Sequence, residues 1–283
     1  MILVASPVRQ PPAVLEAFLA GLAGLRPPEG QELRYMFVDD CDDPRSGALL
    51  ERWRPAGGRR RVVVWRLEEP GPRPAFRRDE ITHHWTPRLA ARVGAARSHL
   101  LNQARRLGAQ GCLLVDSDLV LQPQTLETLW AADRDIVSEV YWTRFAGPDD
   151  PPLPNVWLWG EYGLAPVRPE EAGVTHRELA RRASAFLEEL RQPGLHRVGG
   201  LGGCTLIRRR ALTAGFRLGG RTRHLDYTPI PGLGWWGEDR HFCVRAQALG
   251  LELWAHSGCA PRHLYRPGDL AEAPRGGGVA ARG

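Results

Sequence analysis

The residues whose types and spacing first suggest chemistry are Asp116, Ser117 and Asp118, which follow directly after the apolar segment CLLV. Open α/β sheets bind their ligands at the carboxyl ends of their strands, so polar side chains at that point indicate a ligand site. A divalent cation that binds a diphosphate would explain two carboxylates so close together. A turn at the end of the strand is the alternative, because aspartate is common in turns.

A second acidic group follows the apolar segment LRYMFV and contains Asp39, Asp40, Asp42 and Asp43. If both apolar segments are strands of one sheet, these carboxylates lie at the same edge as Asp116. The first two could accept hydrogen bonds from a base or a ribose. We interpret Asp42 and Asp43 as part of a solvated acidic loop.

The segment GWWGEDRHF places two tryptophans beside two carboxylates. Aromatic faces stack on sugar rings, so Trp235 and Trp236 would bind an acceptor sugar. A carboxylate of Glu238 or Asp239, next to that platform, could take a proton from an acceptor hydroxyl. The alternative is structural, because acidic residues favour helix N-termini and tryptophan often belongs to the core.

Two single residues complete the set of candidates. Arg97 lies four residues after Val93 and four before Leu101, so it borders the apolar face of a helix, where a charge needs a partner. A diphosphate or an aspartate could be that partner, and a structural salt bridge is the equal alternative. His263 would join the site if the chain folds back to the edge that carries Asp118, although a lone histidine is more often structural.

The elements between these residues must position them. Short apolar runs alternate with amphipathic stretches in the first half, which is typical of βαβ units and a largely parallel sheet. Helical spacing of apolar residues predicts a helix over residues 88–107, and a charged amphipathic stretch predicts another over residues 170–192. The segment DIVSEVYW is predicted to close the sheet, and residues 147–169 are predicted to form a long loop.

Composition favours one α/β domain, because 283 residues with 43% hydrophobic content suffice for one sizeable core. Apolar runs end well before the roughly 20 residues that span a bilayer, and no secretory signal is recognisable, so we expect a cytoplasmic protein. A net charge of +6, carried by arginine without lysine, suits a phosphate-bearing ligand, an anionic acceptor or a peripheral membrane contact. Nucleic acid is not expected as a partner, because the arginines are spread out without a recognition motif.

Taken in order, the segments ASPVRQ, FVDDCDD, ARSHLLNQARRLGAQGCLLVDSDLV, VGGLGG, GWWGED and PRHLYR resemble the GT-A glycosyltransferases, in particular those of family 2. The resemblance implies an α/β, Rossmann-like fold with a mostly parallel central sheet flanked by helices. It places a single domain over residues 1–270, with a nucleotide-sugar-binding half (1–120), an acceptor-binding half (121–270) and a flexible tail (271–283). The implied activity is metal-dependent transfer of a hexose, with inversion, from a nucleoside diphosphate sugar to an acceptor hydroxyl.

On the donor side, the resemblance implies that Asp39 contacts the nucleobase or ribose, with Ser6 nearby. It also implies that Asp118 binds Mn²⁺ or Mg²⁺ and that Asp116 lies close to the sugar or ribose. The predicted nucleotide-sugar site comprises Ser6, Asp39, Asp40, Arg97, Asp116 and Ser117. Ser98 stands where many relatives have asparagine, which weakens the donor-side role of Arg97.

On the acceptor side, the resemblance makes Asp239 the base and lets Glu238 hydrogen-bond the acceptor or the donor sugar. His263 matches a late histidine that binds the metal in some GT-A enzymes, so the predicted metal ligands are Asp118, Asp116 and His263. A glycan, a lipid, a protein and a small molecule all stay open as the acceptor.

Two other functions fit parts of the sequence. A phosphatase of the haloacid dehalogenase type also has Asp-x-Asp after a strand, as in VDSDLV, but its nucleophile would lie near the N-terminus and it usually needs a lysine. A protein that binds nucleotide sugars without chemistry is the second alternative, and only turnover separates it from a transferase.

Overall fold

The computed structural model of the chain describes residues 1–55, 62–66, 73–79, 81–145, 147, 149–167, 171, 173–234 and 237–271. Its strands are β1 Ile2–Val8, β2 Leu33–Asp39, β3 Val62–Arg66, β4 Arg77–Arg78, β5 His83–His84, β6 Gly111–Val115, β7 Leu119–Val120, β8 Ile136–Glu139, β9 Trp142–Thr143, β10 Leu153–Pro154, β11 Leu195–Val198, β12 Cys204–Arg208, β13 Gly215–Leu218, β14 Arg221–His224, β15 Leu253–His256 and β16 Arg262–His263. Its helices are α1 Pro12–Ala23, α2 Pro44–Arg52, α3 Pro87–Arg106, α4 Thr125–Ala131, α5 His176–Arg191, α6 Arg209–Thr213 and α7 Glu238–Ala248, and a 3₁₀ turn covers Pro267–Leu270.

Eight strands form the central sheet in the order β11-β15-β8-β12-β6-β1-β2-β3. Strands β6, β1, β2 and β3 run parallel to one another, and β15 is parallel to β8. Strand β12 lies antiparallel between β6 and β8, and β11 is antiparallel to β15. The sheet is therefore mostly parallel, as the sequence predicts.

The prediction that DIVSEVYW closes the sheet is wrong. Strand β8 is an interior strand, paired with β12 on one side and β15 on the other. Both partners come from later segments, CTLIR and LWAH, and strand β12 is buried on both faces over its first four residues. Because β12 pairs with β6 on one side and with β8 on the other, it separates these two strands.

The two faces of the sheet pack against different helices. Along β1, Ile2 and Val4 belong to the core beneath α1, α2 and α4, whereas Leu3 and Ala5 belong to the core beneath α3, α6 and α7. This alternation is the period of two that strands impose on their side chains. The sheet is therefore covered by helices on both faces, as the α/β prediction requires.

Helix α3 has the predicted length and position. Thr86 caps it by accepting a hydrogen bond from the Leu89 N–H at 3.2 Å, and Pro87 occupies its first turn. Helix α5 begins at His176, later than the predicted residue 170, because the Thr175 side chain caps the N-terminus by accepting from the Glu178 N–H. None of the helices within the described ranges combines the length and hydropathy that a bilayer crossing requires.

The region predicted as a long loop is largely irregular where it is described. It contains the two-residue strand β10, which pairs with β9, and isolated bridges join Trp157 to Gly200 and Trp159 to Gly163. The predicted C-terminal tail falls almost wholly on residues 272–283, which lie outside the described residues.

Candidate active site

A cavity of about 610 Å³ lies at the carboxyl edge of the parallel strands. Both proposed halves of the chain contribute to its lining. Among the residues that line it are Asp40, Arg97, Asp116, Ser117, Asp118, Glu238, Asp239 and His263. The fold thus brings candidates from distant parts of the sequence into one site.

The Asp116–Asp118 segment is held by backbone hydrogen bonds directly after β6. The Asp116 N–H donates to the Gly203 carbonyl at 2.7 Å, and the Leu264 N–H donates to the Asp118 carbonyl at 2.8 Å. Strand β16 pairs with β7 in the same place, with His263 opposite Leu119. The chain therefore folds back to this edge, which is the condition under which His263 joins the site.

Asp118 and His263 face each other, with 3.5 Å between Asp118 Oδ2 and His263 Nε2. His263 Nδ1 is fixed by a hydrogen bond of 2.7 Å with Thr143 Oγ1. Burial is the largest single influence on the pKa of Asp118 and raises it. The charge and hydrogen bond of His263, together with the charge of His83 and a backbone hydrogen bond, more than offset burial and hold the pKa below its usual range. This carboxyl is therefore kept in the anionic form that binds a cation.

The other oxygen of Asp118, Oδ1, is buried and has no hydrogen-bond partner among the described residues. A buried carboxylate oxygen without a partner is costly unless something absent from the protein chain satisfies it. An oxygen from Asp118 and a nitrogen from His263 fit a divalent cation, because Mg²⁺ and similar ions take few protein ligands and complete their shell with phosphates and water.

The third predicted metal ligand, Asp116, points elsewhere. Its Oδ1 accepts a hydrogen bond from Arg97. Across the residues that the structure describes, no three histidine, cysteine, aspartate or glutamate side chains converge as a metal site. The fit to a cation therefore rests on Asp118 and His263, with Asp116 held beside them by the guanidinium.

Arg97 is buried, with 4% of its surface exposed, and it contacts three carboxylates. It donates hydrogen bonds to Asp116 and Asp239, and 3.3 Å separates its Nη1 from Glu238 Oε1. Its guanidinium also lies over the ring of Tyr227, 5.3 Å from the centroid. The sequence left a diphosphate or a carboxylate open as the partner of Arg97. The structure shows carboxylates, and they come from both sides of the cavity.

Glu238 and Asp239 occupy the first turn of α7. Asp239 lies so close to the backbone at Gly202 that a Cβ there would be 2.2 Å from its Oδ2. Helix α3 also approaches closely at Gly94, where a Cβ would lie 3.2 Å from the Cβ of Glu238. Glycines at both positions allow the two carboxylates to reach Arg97.

The pKa values of two carboxyl groups are raised around Arg97. Burial raises the pKa of Asp239 to about 8 and that of Asp116 to about 6, although the charge of Arg97 acts in the opposite direction. The negative charge of Glu238 adds to both increases. One guanidinium cannot neutralise three buried carboxylates, so part of this cluster holds a proton near neutral pH.

At the donor end, Asp40 lines the cavity, but both of its carboxylate oxygens are bonded to arginines. Arg92 binds it in a bidentate manner at 2.9 and 2.7 Å, and Arg73 Nη2 lies 3.1 Å from Oδ1. Asp39 does not line the cavity: its Oδ1 accepts a hydrogen bond from the Cys41 N–H at 3.0 Å. Ser6 is buried, donates to the Pro7 carbonyl and likewise lies outside the lining.

The acidic residues after Asp40 are exposed (Asp42) or partly exposed (Asp43), as in a solvated loop, and each is bonded to an arginine. Asp43 caps α2 by accepting a hydrogen bond of 2.8 Å from the Arg45 N–H. Asp42 pairs with Arg9, whose Nε lies 2.9 Å from Oδ2. The predicted acceptor platform of Trp235 and Trp236 lies outside the described residues.

One lining residue that the sequence did not single out is Tyr162. Its backbone has φ of 59°, which is uncommon for a residue other than glycine. Its ring lies 4.7 Å from that of Trp157, and its hydroxyl would be 2.6 Å from a Cβ at Gly237. The proline- and tryptophan-rich composition of residues 147–169 indicated a functional loop. It did not indicate which side chain reaches α7, because that depends on the backbone conformation at Tyr162.

No protein-family model matches the chain. Among solved structures, the S. aureus protein TarS is similar with a TM-score of 0.52 and 17% identity over 92% of this chain and 36% of TarS. Its fragment 1–349 in complex with UDP-GlcNAc has a TM-score of 0.51 and 17% identity over 92% of this chain and 57% of the fragment. GalNAc-T7 with UDP, GalNAc and Mn²⁺ has a TM-score of 0.50 and 14% identity over 94% of this chain and 44% of that one.

These similarities define the class of the fold. The chain has the GT-A glycosyltransferase fold, with its mixed and mostly parallel sheet flanked by helices. It spans from about a third to just over half of the length of the chains to which it is similar.

The raised pKa of Asp239 predicts a pH-dependent stability that one substitution removes. A carboxyl whose pKa is higher in the folded protein than in the unfolded chain destabilises the fold as the pH rises from its ordinary value towards the raised one. Between about pH 5 and pH 8, Asp239→Asn should therefore gain stability relative to the native protein, by on the order of 3–4 kcal/mol.

Urea denaturation in the presence of EDTA measures this difference. The raised pKa is tested by how the difference in unfolding free energy between the variant and the native protein changes with pH. The size of that difference at a single pH is not a test, because the loss of the ion pair with Arg97 shifts the stability of the variant at every pH. Asp133→Asn, at a carboxylate whose side chain is 84% exposed, serves as the control and should follow the native curve. Parallel curves for Asp239→Asn and the native protein would contradict the raised pKa.

Proposed function

We propose that the protein is a metal-dependent hexosyltransferase that moves a sugar from a nucleoside diphosphate sugar to an acceptor hydroxyl with inversion. The observation that carries this proposal is the joining of two acidic pairs in one cavity of a GT-A fold. Asp116 and Asp118 follow β6, Glu238 and Asp239 begin α7, and Arg97 links the two pairs.

The donor class is inferred from the fold and the cavity together. TarS and GalNAc-T7 are described with UDP-GlcNAc and with UDP, GalNAc and Mn²⁺, respectively. In this chain, Asp118 and His263 would hold Mg²⁺ or Mn²⁺, and the cation would supply positive charge against the departing diphosphate. Ser117 and Arg92 line the same cavity and would contact the remainder of the donor.

Asp239 is the proposed base. Its carboxylate accepts the proton of the acceptor hydroxyl while that oxygen bonds to the anomeric carbon and the bond from that carbon to the diphosphate breaks. The electron pair leaves with the diphosphate. Because the attack comes from the face opposite the leaving group, the configuration inverts in one displacement and no covalent enzyme intermediate forms.

The surroundings of Asp239 suit this role. Burial keeps its pKa near neutral, so the carboxyl can both take up a proton and release it afterwards. Arg97 fixes the direction of the carboxylate, and the missing side chain at Gly202 leaves room for it. Glu238, at the rim of the same cluster, is placed to hydrogen-bond the acceptor or the donor sugar.

The alternatives have less support. The fold is that of GT-A glycosyltransferases, and Asp116, which a phosphatase of the haloacid dehalogenase type would use as the nucleophile, is ion-paired with the buried Arg97. A protein that binds a nucleotide sugar without chemistry would not need Asp239 as a base, so measured turnover distinguishes it from a transferase.

Nucleotide binding should depend on the metal and on Asp118. Isothermal titration of nucleoside diphosphates with and without Mn²⁺ should show one nucleotide that binds only with the metal. Asp118→Asn should weaken this binding at least about tenfold, because an amide neither carries the charge nor replaces both oxygens. Asp133→Asn is the matched control and should bind like the native protein. If the native protein binds no nucleotide, the proposal fails.

Turnover should depend on Asp239 more than binding does. Asp239→Asn should lower the rate of sugar transfer by about 10²–10⁴-fold, the usual contribution of a general base, and leave nucleotide affinity within a few fold. Release of nucleoside diphosphate reports the rate, with water as the acceptor until a better one is found. NMR of the freshly released sugar reports its configuration, and retention at the anomeric carbon would rule out Asp239 as the base.

Tyr162 should affect the acceptor and not the donor. Residues 159–163 form a loop that carries Tyr162. An ion pair of 3.2 Å between Glu161 and Arg240 fixes this loop to α7. Its tyrosine ring therefore lies beside the proposed base, where it could stack on a sugar. Tyr162→Ala should raise the KM for a saccharide acceptor at least about fivefold, whereas Tyr162→Phe should keep most of the affinity.

The nucleotide affinity of the Tyr162 variants, measured by titration, is the internal control and should stay unchanged. Tyr162→Asn removes the ring but tolerates the positive φ, so it separates loss of the ring from loss of the backbone conformation. An unchanged acceptor KM in both Tyr162→Ala and Tyr162→Asn would exclude the ring from acceptor binding.

A further inference from the structure

A hairpin formed by β13 and β14 stands apart from the central sheet. Within the part of the chain that the structure describes, its two strands pair only with each other, with Gly215 opposite His224 and Leu218 opposite Arg221. Gly219 and Gly220 connect them with φ of 55° and 75°, and two such residues make the tight turn that suits a twisted hairpin. The described side chains are exposed from residue 215 to residue 223, so the hairpin protrudes into solvent.

The hairpin is strongly basic. Residues 214–224 contain Arg217, Arg221 and Arg223 but no aspartate or glutamate. Among the residues that the structure describes, no carboxylate forms an ion pair with any of these three arginines. Three arginines within seven residues, without an acidic residue in the same hairpin, make a local concentration of positive charge.

One face of the hairpin combines charge with an aromatic ring. Phe216 lies directly opposite Arg223, and residues opposite each other in an antiparallel pair share a face. Phe216 is 42% exposed, so its ring is accessible to a partner on the same face as that arginine. An exposed aromatic ring beside arginines is typical of surfaces that insert into the headgroup region of an anionic membrane.

The base of the hairpin fixes its place in the fold. Arg105, in the last turn of α3, donates hydrogen bonds to the carbonyls of Leu212 at 3.2 Å and Leu225 at 3.1 Å, which flank the hairpin. The preceding helix α6 starts where the Arg209 N–H donates to the Gln110 carbonyl, just before β6 begins. The cavity lies where β6 ends, so a surface that contacts the hairpin leaves the cavity open.

We infer that this hairpin docks the protein on an anionic lipid surface. Arg221 and Arg223, which share a face with Phe216, bind the headgroups, and Phe216 enters the interface between headgroups and acyl chains. Arg217, on the other face of the hairpin, adds positive charge close to the same lipid surface. A nucleic acid or an acidic glycan can also bind arginines and stack on a ring, but such ligands are held in grooves. A protruding hairpin instead presents its ring and its charges to a flat surface, so an anionic lipid surface is the partner that fits its shape. The proposal does not depend on the transferase activity.

Cosedimentation of the full chain with vesicles tests this inference. The protein should bind vesicles that contain phosphatidylglycerol and should not bind vesicles of phosphatidylcholine alone. Each arginine near an anionic surface contributes about fivefold in affinity, so the triple variant R217Q/R221Q/R223Q should bind roughly a hundredfold more weakly. Phe216→Ala should weaken binding several fold with all the charges in place.

A matched variant removes the same charge elsewhere. Arg52, Arg54 and Arg177 are exposed arginines distant from the hairpin in sequence, and R52Q/R54Q/R177Q should bind vesicles within a few fold of the native protein. Far-ultraviolet circular dichroism checks that both triple variants remain folded. Equal losses in the two triple variants, or no binding of the native protein to anionic vesicles, would overturn the proposal.

A competition with heparin separates the two sources of negative charge. If heparin binds the native protein through the hairpin while anionic vesicles do not bind, the surface serves a soluble polyanion and the lipid proposal is wrong. If Phe216→Ala binds anionic vesicles as tightly as the native protein does, the ring takes no part and the inference also fails.

Discussion

The contact on which the site depends is the buried ion cluster of Arg97 with Asp116, Glu238 and Asp239. The arginine comes from α3, and its partners come from the end of β6 and the start of α7. Removal of Arg97 from this cluster would leave three buried carboxylates without a counter-charge, which is strongly unfavourable. The guanidinium therefore sets the separation between the two parts of the cavity, and the rest of the site is arranged around it.

Close approach of the backbone makes this cluster possible. Gly94 brings α3 against α7, and Gly202 brings the turn before β12 against Asp239. Gly203 has φ of 77°, and a Cβ there would lie 2.0 Å from the Tyr141 hydroxyl. The glycine-rich segment before β12 thus serves the site directly, because side chains in these positions would occupy the space that the carboxylates and the cavity wall need.

The sequence predicted the parts of the site that local patterns determine. An apolar strand followed by Asp-Ser-Asp, and a helix with its caps, have signals within a few residues, so the Asp116–Asp118 edge and α3 were placed correctly. The contact of His263 with Asp118 arises from pairing of two-residue strands far apart in the chain, for which no local pattern exists. No local pattern predicts that β12 and β15 pair with β8 either, because this pairing depends on tertiary packing. The partners of Arg97 also come from distant segments and have no local signal.

The left-handed backbone conformation at Tyr162 lowers the stability of the fold and at the same time places an aromatic ring at the cavity. A tyrosine with φ of 59° costs about 1–2 kcal/mol relative to a relaxed conformation, and glycine would adopt the same backbone without that cost. A glycine there would relax the backbone but would leave the wall of the cavity beside α7 without an aromatic ring. The tyrosine therefore places its ring next to Gly237, at the start of α7, at the expense of some stability.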